Sequence, residues 1–189
     1  MDVMANVKVE SDVVIDRLME VFRSVGYDGA SMAQLADATG LQKASLYHRF
    51  PGGKQEMATA VLDHVSEWNQ RQLVDVLYSS ASPKTRLTTA LRSISQLYDG
   101  GRLACILRAL SHGTAADLFR QPIASIFTKW VDAFAHLAQD LGFDQQTSRH
   151  LGESTLVRIQ GSLILAQTLN QPTLFEQALH DIETDFLIN

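Results

Sequence analysis

Residues 42–54 of the chain gather side chains that can carry positive charge and include no acidic one. The cationic candidates are Lys43, His48, Arg49 and Lys54, and Tyr47 lies among them. The whole chain has 189 residues and a formal net charge of −5, so this stretch is positively charged within an acidic protein. Phosphate binding depends on Lys and Arg, and the local field matters more than the total charge. The stretch therefore indicates a contact with nucleic acid.

Two short helices separated by a glycine are predicted to hold this stretch. Ser31 followed by Gln34 matches a capping box, which predicts a helix that begins there and runs through "MAQLADAT". Gly40 then provides a left-handed turn, and the next helix is predicted from Gln42 to about Arg49. Two short helices joined in this way, the second of them basic, form a helix-turn-helix.

The two sides of the second helix have different expected partners. A first helix, predicted over residues 10–25 or so and ended by Gly26, can cover the apolar positions. These positions are Leu35, Ala36, Leu41, Leu46 and Phe50. The side chains left to face outward are Gln42, Lys43, Ala44, Ser45, Tyr47 and His48. A helix surface of this kind can enter a major groove.

The segment "LADATGLQKASLYHRFPGGKQEM" resembles the helix-turn-helix of the TetR family of bacterial transcriptional regulators, also called TetR/AcrR. The family pattern is roughly "IAxxAGVSxGTLYxHF" followed by a lysine at the start of the fourth helix, and the Pro-Gly-Gly-Lys form resembles one branch. The resemblance implies an all-α fold. Residues 1–53 would form a three-helix DNA-binding domain, and residues 54–189 a helical ligand-binding and dimerisation domain, with helix 4 connecting the two.

The resemblance also implies roles for individual residues. Tyr47 resembles the tyrosine that contacts phosphate, and Lys54 resembles the helix-4 lysine that pairs with backbone phosphate. Ser31 matches the start of helix 2, where a hydroxyl and free amides meet phosphate. Residues 42–45 open the recognition helix near the base edges, and His48 could contact phosphate or base. Gln42 departs from the Ser or Thr that the family often has, which weakens a helix cap and offers adenine a bidentate partner.

A long helix predicted over residues 146–169 contains "STLVRIQGSLILAQTL", which is apolar on nearly every side. Such a helix must be covered on several sides, and a second subunit could supply the cover. "LVRIQGSLILAQTL" also resembles the dimerisation helices of that branch. The expected interface is Leu156, Ile159, Leu163, Ala166, Phe175, Leu179 and Ile182. The alternative is an ordinary helix buried in the core of one chain.

The remaining predicted helices are 54–78, 84–98, 103–113, a helix from Pro122 to about residue 141, and 173–186. Family resemblance implies a small-molecule pocket among them, although apolar helices also fill ordinary cores. The candidate lining residues are Trp68, Leu91, Leu103, Leu107, Arg108, His112, Phe127, Trp130 and Phe134.

These observations predict a dimeric repressor of a palindromic double-stranded DNA operator, released by a small apolar effector. An activator, a corepressor-dependent repressor and a helical adaptor that binds protein remain alternatives. An enzyme is not expected, because the six histidines have no metal-ligand spacing and no catalytic motif occurs. No metal and no cofactor are expected. The single cysteine, Cys105, is predicted to be buried, and the lack of a signal or membrane segment favours the cytoplasm.

Overall fold

The structure is a computed structural model that describes the backbone of residues 2–187 and the side chains of residues 11–187. Within this range the regular elements are helices, as predicted for an all-α fold. The amino-terminal helices are α1 (Asp2–Gly29), α2 (Met32–Thr39), α3 (Lys43–Arg49) and α4 (Gly53–Asn69). A π-helical turn, Gln70–Val74, and the short α5 (Asp75–Leu77) follow. The others are α6 (Pro83–Leu97), a 3-10 turn (Asp99–Gly101), α7 (Ile106–Ala109), α8 (Ala115–Asp140), α9 (Gln145–Thr168) and α10 (Thr173–Leu187).

The chain forms two compact units whose limits differ from the predicted domains. The first unit contains the residues up to Ser66 together with Ile106–Ile123, and the second contains Glu67–Cys105 and the residues from Ala124 onward. The sequence analysis predicted two domains, with one boundary between residues 53 and 54. Most of α4 and the beginning of α8 therefore belong to the same unit as the helix-turn-helix. Both helices also continue along the chain into the second unit.

The core of the first unit is built from the apolar stripe of α1 and the inner sides of α2, α3 and α4. Its fully buried side chains include Leu18, Phe22, Leu35, Leu46, Met57 and Val61. Ala36 and Phe50 are buried as predicted, whereas Leu41 is half-buried. Gly26 interrupts α1 at the predicted end with a φ of 72°, and a further short helical segment follows to Gly29.

Hydrogen bonds at both ends of α2 stabilise the helix-turn-helix. The Ser31 hydroxyl accepts the backbone N–H of Gln34, and the Gln34 side chain accepts the N–H of Ser31, which confirms the capping box. Gly40 adopts the left-handed conformation at φ 69°, and its N–H bonds back into α2. The Arg17 guanidinium adds a hydrogen bond to the Thr39 carbonyl at 3.2 Å. The turn between α2 and α3 is therefore fixed from both sides.

The second unit has a separate core. Its fully buried side chains include Leu73, Leu77, Leu87, Ile94, Phe134, Phe175 and Phe186. Helices α8 and α9 approach closely at Gly152, where an added Cβ would lie 2.4 Å from the Val131 carbonyl oxygen. The buried Arg86 donates to the Leu77 carbonyl and to Asp140, both at 2.7 Å. Cys105 is buried, as predicted.

Three predicted helices differ in detail from the structure. The helix expected over 54–78 is helical as far as Leu77, but it contains the π-helical turn Gln70–Val74 between α4 and α5. The helix expected over 103–113 is limited to Ile106–Ala109 and is followed by turns that include Gly113 at a left-handed φ of 62°. Pro122 was expected to start a helix, but it lies inside α8. Pro122 is exposed and removes one backbone donor from α8.

Candidate nucleic-acid interface

Helix α3 presents the predicted reading face to solvent. Gln42, Lys43, Ala44, Ser45, Tyr47 and His48 are all exposed. Leu46, on the opposite side, is completely buried and fixes the rotation of the short helix. Arg49 is half-buried and lies 6.0 Å from the centre of the Phe50 ring. Six neighbouring side chains thus share one accessible surface that contains Lys43 and His48 and no acidic group.

The amino-terminal end of α3 lacks a side-chain cap. Gln42 occupies the N-cap position with extended backbone, and its carboxamide makes no capping hydrogen bond. This agrees with the prediction that Gln42 weakens the cap. Its exposed carboxamide keeps both a donor and an acceptor available for an external partner.

The Pro-Gly-Gly turn supports Tyr47. The Gly53 N–H donates to the Phe50 carbonyl at 2.8 Å, and Gly53 has a φ of 66°. A Cβ added to Gly53 would lie 3.6 Å from Cε1 of Tyr47, so the Tyr47 ring packs beside this glycine. Tyr47 nevertheless remains 49% exposed, which leaves its hydroxyl available to a phosphate.

Lys54, which was predicted to contact phosphate, also makes contacts within the protein. Its ammonium donates to the Tyr27 carbonyl oxygen at 2.8 Å and lies 4.5 Å from the centre of the Tyr27 ring. That ring is buried and meets Phe119 edge-on at a centroid distance of 5.5 Å. Burial, with the nearby Asp28 charge, raises the pKa of Tyr27. Lys54 therefore ties the start of α4 to the end of α1, with two further N–H donors to spare.

An acidic side chain occupies the start of α4, and sequence reasoning gave it no role. The Glu56 carboxylate accepts the Gly52 N–H at 2.6 Å, and both residues are exposed. A carboxylate at a helix amino terminus interacts favourably with the helix dipole. Glu56 therefore uses an amide that would otherwise be available to an incoming phosphate. The acidic residue in the first turn of the predicted helix was the sequence signal for this contact.

Asp28 was also not predicted from the sequence to have a role. It holds the start of α8 within the first unit. Its carboxylate accepts the backbone N–H of Thr114 at 2.9 Å and also accepts the Thr114 hydroxyl. These hydrogen bonds lower the pKa of Asp28. The contact joins positions 86 residues apart in the chain, so no local pattern could have indicated it.

Comparison with known proteins finds two family matches along the chain. Residues 14–61 match the tetR family of bacterial regulatory proteins. Residues 84–180, just over half of the chain, match the C-terminal domain of LmrA/YxaF-like transcriptional regulators.

The chain belongs to the TetR family of transcriptional regulators. One relative is the HTH-type transcriptional regulator LmrA of Bacillus subtilis (strain 168), 20% identical over 85% of this chain and 87% of LmrA. A solved TetR regulator from Legionella pneumophila has a TM-score of 0.75 and 20% identity, over 89% of this chain and 95% of its own. The TetR regulator CifR, solved as a cysteine mutant with 26-base-pair double-strand operator DNA, has a TM-score of 0.71 and 23% identity, over 89% of this chain and 94% of its own.

TetR membership identifies the chain as a transcriptional regulator. The matched families and relatives are regulators of transcription and not enzymes. Among the described residues, no group of three or more His, Cys, Asp or Glu side chains could hold a metal ion. No described helix is both long enough and apolar enough to cross a membrane.

The residues predicted to line a ligand pocket are divided between the two units of this TetR regulator. Leu107, Arg108 and His112 belong to the first unit, where Leu107 is buried and the other two are exposed. The others belong to the second unit. There Leu91, Trp130 and Phe134 are buried, Trp68 and Phe127 are half-buried, and Leu103 is exposed.

The residues predicted for the dimer interface lie mainly inside the chain itself. Ile159, Leu163, Ala166, Phe175, Leu179 and Ile182 are at most 8% exposed, so they have little surface left for a partner. Leu156 is half-buried. The outer face of α9 and its C-cap residue carry accessible apolar side chains, which are Val157, Ile164, Leu165 and Leu169, at 70%, 43%, 53% and 54% exposure.

Proposed function

We propose that this TetR-family chain is a dimeric repressor. Each subunit would place α3 in the major groove of one half of an inverted-repeat operator, and a small-molecule effector would release the DNA. The observation that carries the proposal is the continuous exposed face of α3, which is cationic and opposite the buried anchor Leu46. CifR, a protein with a similar fold, was solved in complex with operator DNA, which supports DNA binding by this chain.

The side chains of α3 suit two kinds of contact with DNA, one to phosphates and one to bases. Lys43, Tyr47 and His48 can reach backbone phosphates, which supply most of the affinity and make it depend on salt. Gln42 and Ser45, near the amino-terminal end, can reach base edges, where a Gln carboxamide pairs with adenine. Because chromosomal DNA is the target, we place the protein in the cytoplasm.

The outer face of α9 and the adjoining side of α10 form the dimer surface in this proposal. Arg158 and Asp185 make an ion pair at 2.5 Å across the two helices. They border a groove of about 580 Å³ whose lining also includes Gly161 and Leu165. A Cβ added at Gly161 would meet no atom within 4 Å, so the backbone there is open to close approach by another helix. A two-fold axis through this surface would make it meet its own copy.

Release by an effector would act through helices that belong to both units. Helices α4 and α8 begin in the first unit and end in the second. A ligand that prefers one arrangement of these helices in the second unit changes the equilibrium of the first. Coupling of this kind typically changes affinity by about 5- to 150-fold.

We would test the proposal by measuring the molecular mass in solution and the operator affinity of two variants. The operator would be obtained by selection from random duplex DNA with the purified protein. Leu165→Glu places a charge on the proposed dimer surface, and Leu118→Glu is the matched control because Leu118 is 44% exposed in the first unit. We expect Leu165→Glu to give monomers in sedimentation and to weaken operator binding at least tenfold. Equal behaviour of the two variants would refute the proposed surface.

A further inference from the structure

Two buried side chains of the second unit, Asn69 and Trp130, have polar atoms without a hydrogen-bond partner in the described part of the chain. Asn69 is 1% exposed, and neither its Nδ2 nor its Oδ1 has a partner. Trp130 is 2% exposed, and its Nε1 has none. Folded proteins pair the large majority of such atoms, because a buried donor or acceptor without a partner destabilises the fold. These three atoms are therefore groups with which a bound molecule could form hydrogen bonds.

The two residues belong to segments that meet. Lys129, next to Trp130 on α8, donates to the Gln70 side chain at 3.3 Å, and Gln70 follows Asn69 directly. Gln70 in turn donates to Asp75 at 2.8 Å, so the polar side chains on the solvent side of this junction are paired with one another. Next to this junction, the buried polar atoms of Asn69 and Trp130 have no hydrogen-bond partner among the described residues.

The backbone at this junction is irregular. Asn69 is the last residue of α4, and the π-helical turn Gln70–Val74 begins directly after it. Its side chain makes no capping hydrogen bond to that turn. Single π-helical turns within α-helices are rare and are found frequently at functional sites, where they re-aim side chains. The position of Asn69 at such a turn is a second, independent sign of a binding role.

The surroundings limit the charge of a ligand. In the described part of the second unit, the buried polar or charged residues are Asn69, Arg86, Ser148 and Thr155. Arg86 carries the charge in this set, and its guanidinium already binds Asp140 and the Leu77 carbonyl. A charged ligand would thus lose its hydration without gaining a free counter-ion. The indole N–H only donates, whereas a carboxamide both donates and accepts.

We propose that Asn69 and Trp130 are the polar recognition groups of the effector site, and that the effector is an uncharged, largely apolar molecule with a carboxamide or a similar carbonyl-containing group. This inference rests on the proposed function, since it names the ligand class of the same regulator. The ligand carbonyl accepts from the indole N–H or from Asn69 Nδ2, and a ligand N–H donates to Asn69 Oδ1. Trp130 was a sequence candidate for the pocket, whereas Asn69 was not.

Trp130 can report the binding directly. The chain has two tryptophans, so the wild type is compared with Trp130→Phe, and the difference between their emission changes is the Trp130 signal. The full-length protein would be titrated with three probes of similar size, which are benzamide, benzoate and ethylbenzene. We expect benzamide to shift the Trp130 emission saturably, with a dissociation constant of about 1–10 mM for so small a molecule. Benzoate, which is charged, and ethylbenzene, which lacks a hydrogen-bonding group, would bind at least about tenfold more weakly.

Asn69→Leu supplies the second readout, with Asn170→Gly as the matched control. Asn170 is exposed and has a φ of 51°, so glycine fits there. Because Leu removes two orphaned polar atoms at similar volume, Asn69→Leu should raise Tm by about 2–4 °C and abolish the benzamide response. Asn170→Gly should keep that response.

The inference is overturned if Asn69→Leu lowers Tm, because Asn69 would then be a paired structural residue. It is equally overturned if benzamide leaves the Trp130 emission unchanged, or if all three probes bind alike. Operator affinity of the Asn69→Leu protein, measured without any probe, separates this inference from the proposed function. Normal operator binding with no benzamide response preserves the repressor and rejects this ligand class.

Discussion

The Lys54 ammonium donates a hydrogen bond to the Tyr27 carbonyl oxygen at 2.8 Å and lies 4.5 Å from the centre of the Tyr27 ring. A lysine expected at a DNA phosphate therefore also joins two helices of its own unit. Lys43 is exposed, and its ammonium has no hydrogen bond or ion pair to the described side chains. The two lysines thus allow the structural and the electrostatic contributions to DNA binding to be separated.

Substitution of each lysine should give a different signature. Lys54→Met removes a hydrogen bond and a cation–π contact, so we expect a loss of about 1–2 kcal/mol in the free energy of unfolding. Lys43→Met should leave thermal unfolding unchanged and reduce the slope of log affinity against log salt by about 1. Calorimetry and fluorescence anisotropy on the selected operator would measure both. Equal losses of stability in the two variants would contradict the assignment.

Gly53 is expected to support Tyr47 through its backbone conformation. Gly53→Ala forces a side chain into a φ of 66°, which costs about 1–2 kcal/mol, and should displace the turn beside Tyr47. Gly53→Asn adds a Cβ at the same place, but asparagine tolerates the left-handed region. Operator affinity should therefore fall more for alanine than for asparagine. The opposite order would mean that contact with the Tyr47 ring, and not backbone strain, limits this position.

Glu56 should restrain binding to DNA. Glu56→Gln removes a negative charge from the start of α4 and weakens its hold on the Gly52 N–H. We expect affinity for random duplex DNA at low salt to rise severalfold, with a stability loss of about 0.5–1 kcal/mol. The matched control is Glu67→Gln at the far end of the same helix, where Glu67 is exposed and pairs with Arg71. If both variants raise the affinity equally, the effect is one of net charge alone.

Asp28 makes the first unit sensitive to acid. Its pKa is lowered from 3.8 by the hydrogen bonds from Thr114, so the folded protein favours the ionised form. The resulting stability is present above this value and is lost as pH falls through the lower folded pKa. Asp28→Asn should thus be less stable than the wild type at neutral pH, with the difference narrowing below about pH 4.

Urea unfolding at several pH values would measure this narrowing. Thr114→Val, which removes one of the two donors, should show a smaller change in the same direction. A difference between Asp28→Asn and the wild type that stays constant from pH 7 to pH 2.5 would contradict the role of the carboxylate.

The local parts of the first unit could be predicted from the sequence. Ser31, Gln34 and Gly40 act on their own helix, and spacing alone identifies such contacts. The outward face of α3 followed from the burial of Leu46 and from a known pattern. The partners of Lys54 and Asp28 lie 27 and 86 residues away, and only tertiary packing brings them together.

The sequence could not predict which side of α9 is buried, and the reason is different. Its sequence is apolar on both sides, with Ile159 and Leu163 inward and Val157 and Leu165 outward. Periodicity indicates a helix here but cannot say which apolar side meets the chain's own core. The burial of each side chain makes that distinction, and it moves the proposed dimer surface to the outer face.

Recognition of DNA by α3 is tested most directly by selection from random duplex DNA with wild type and a Lys43→Ala, Ser45→Ala double variant side by side. Both exposed substitutions leave the buried face of α3 intact, which circular dichroism would verify. We expect the wild type to enrich one short inverted repeat and the equally folded variant to enrich none. Enrichment of the same repeat by both proteins, or of no repeat by either, would contradict this expectation.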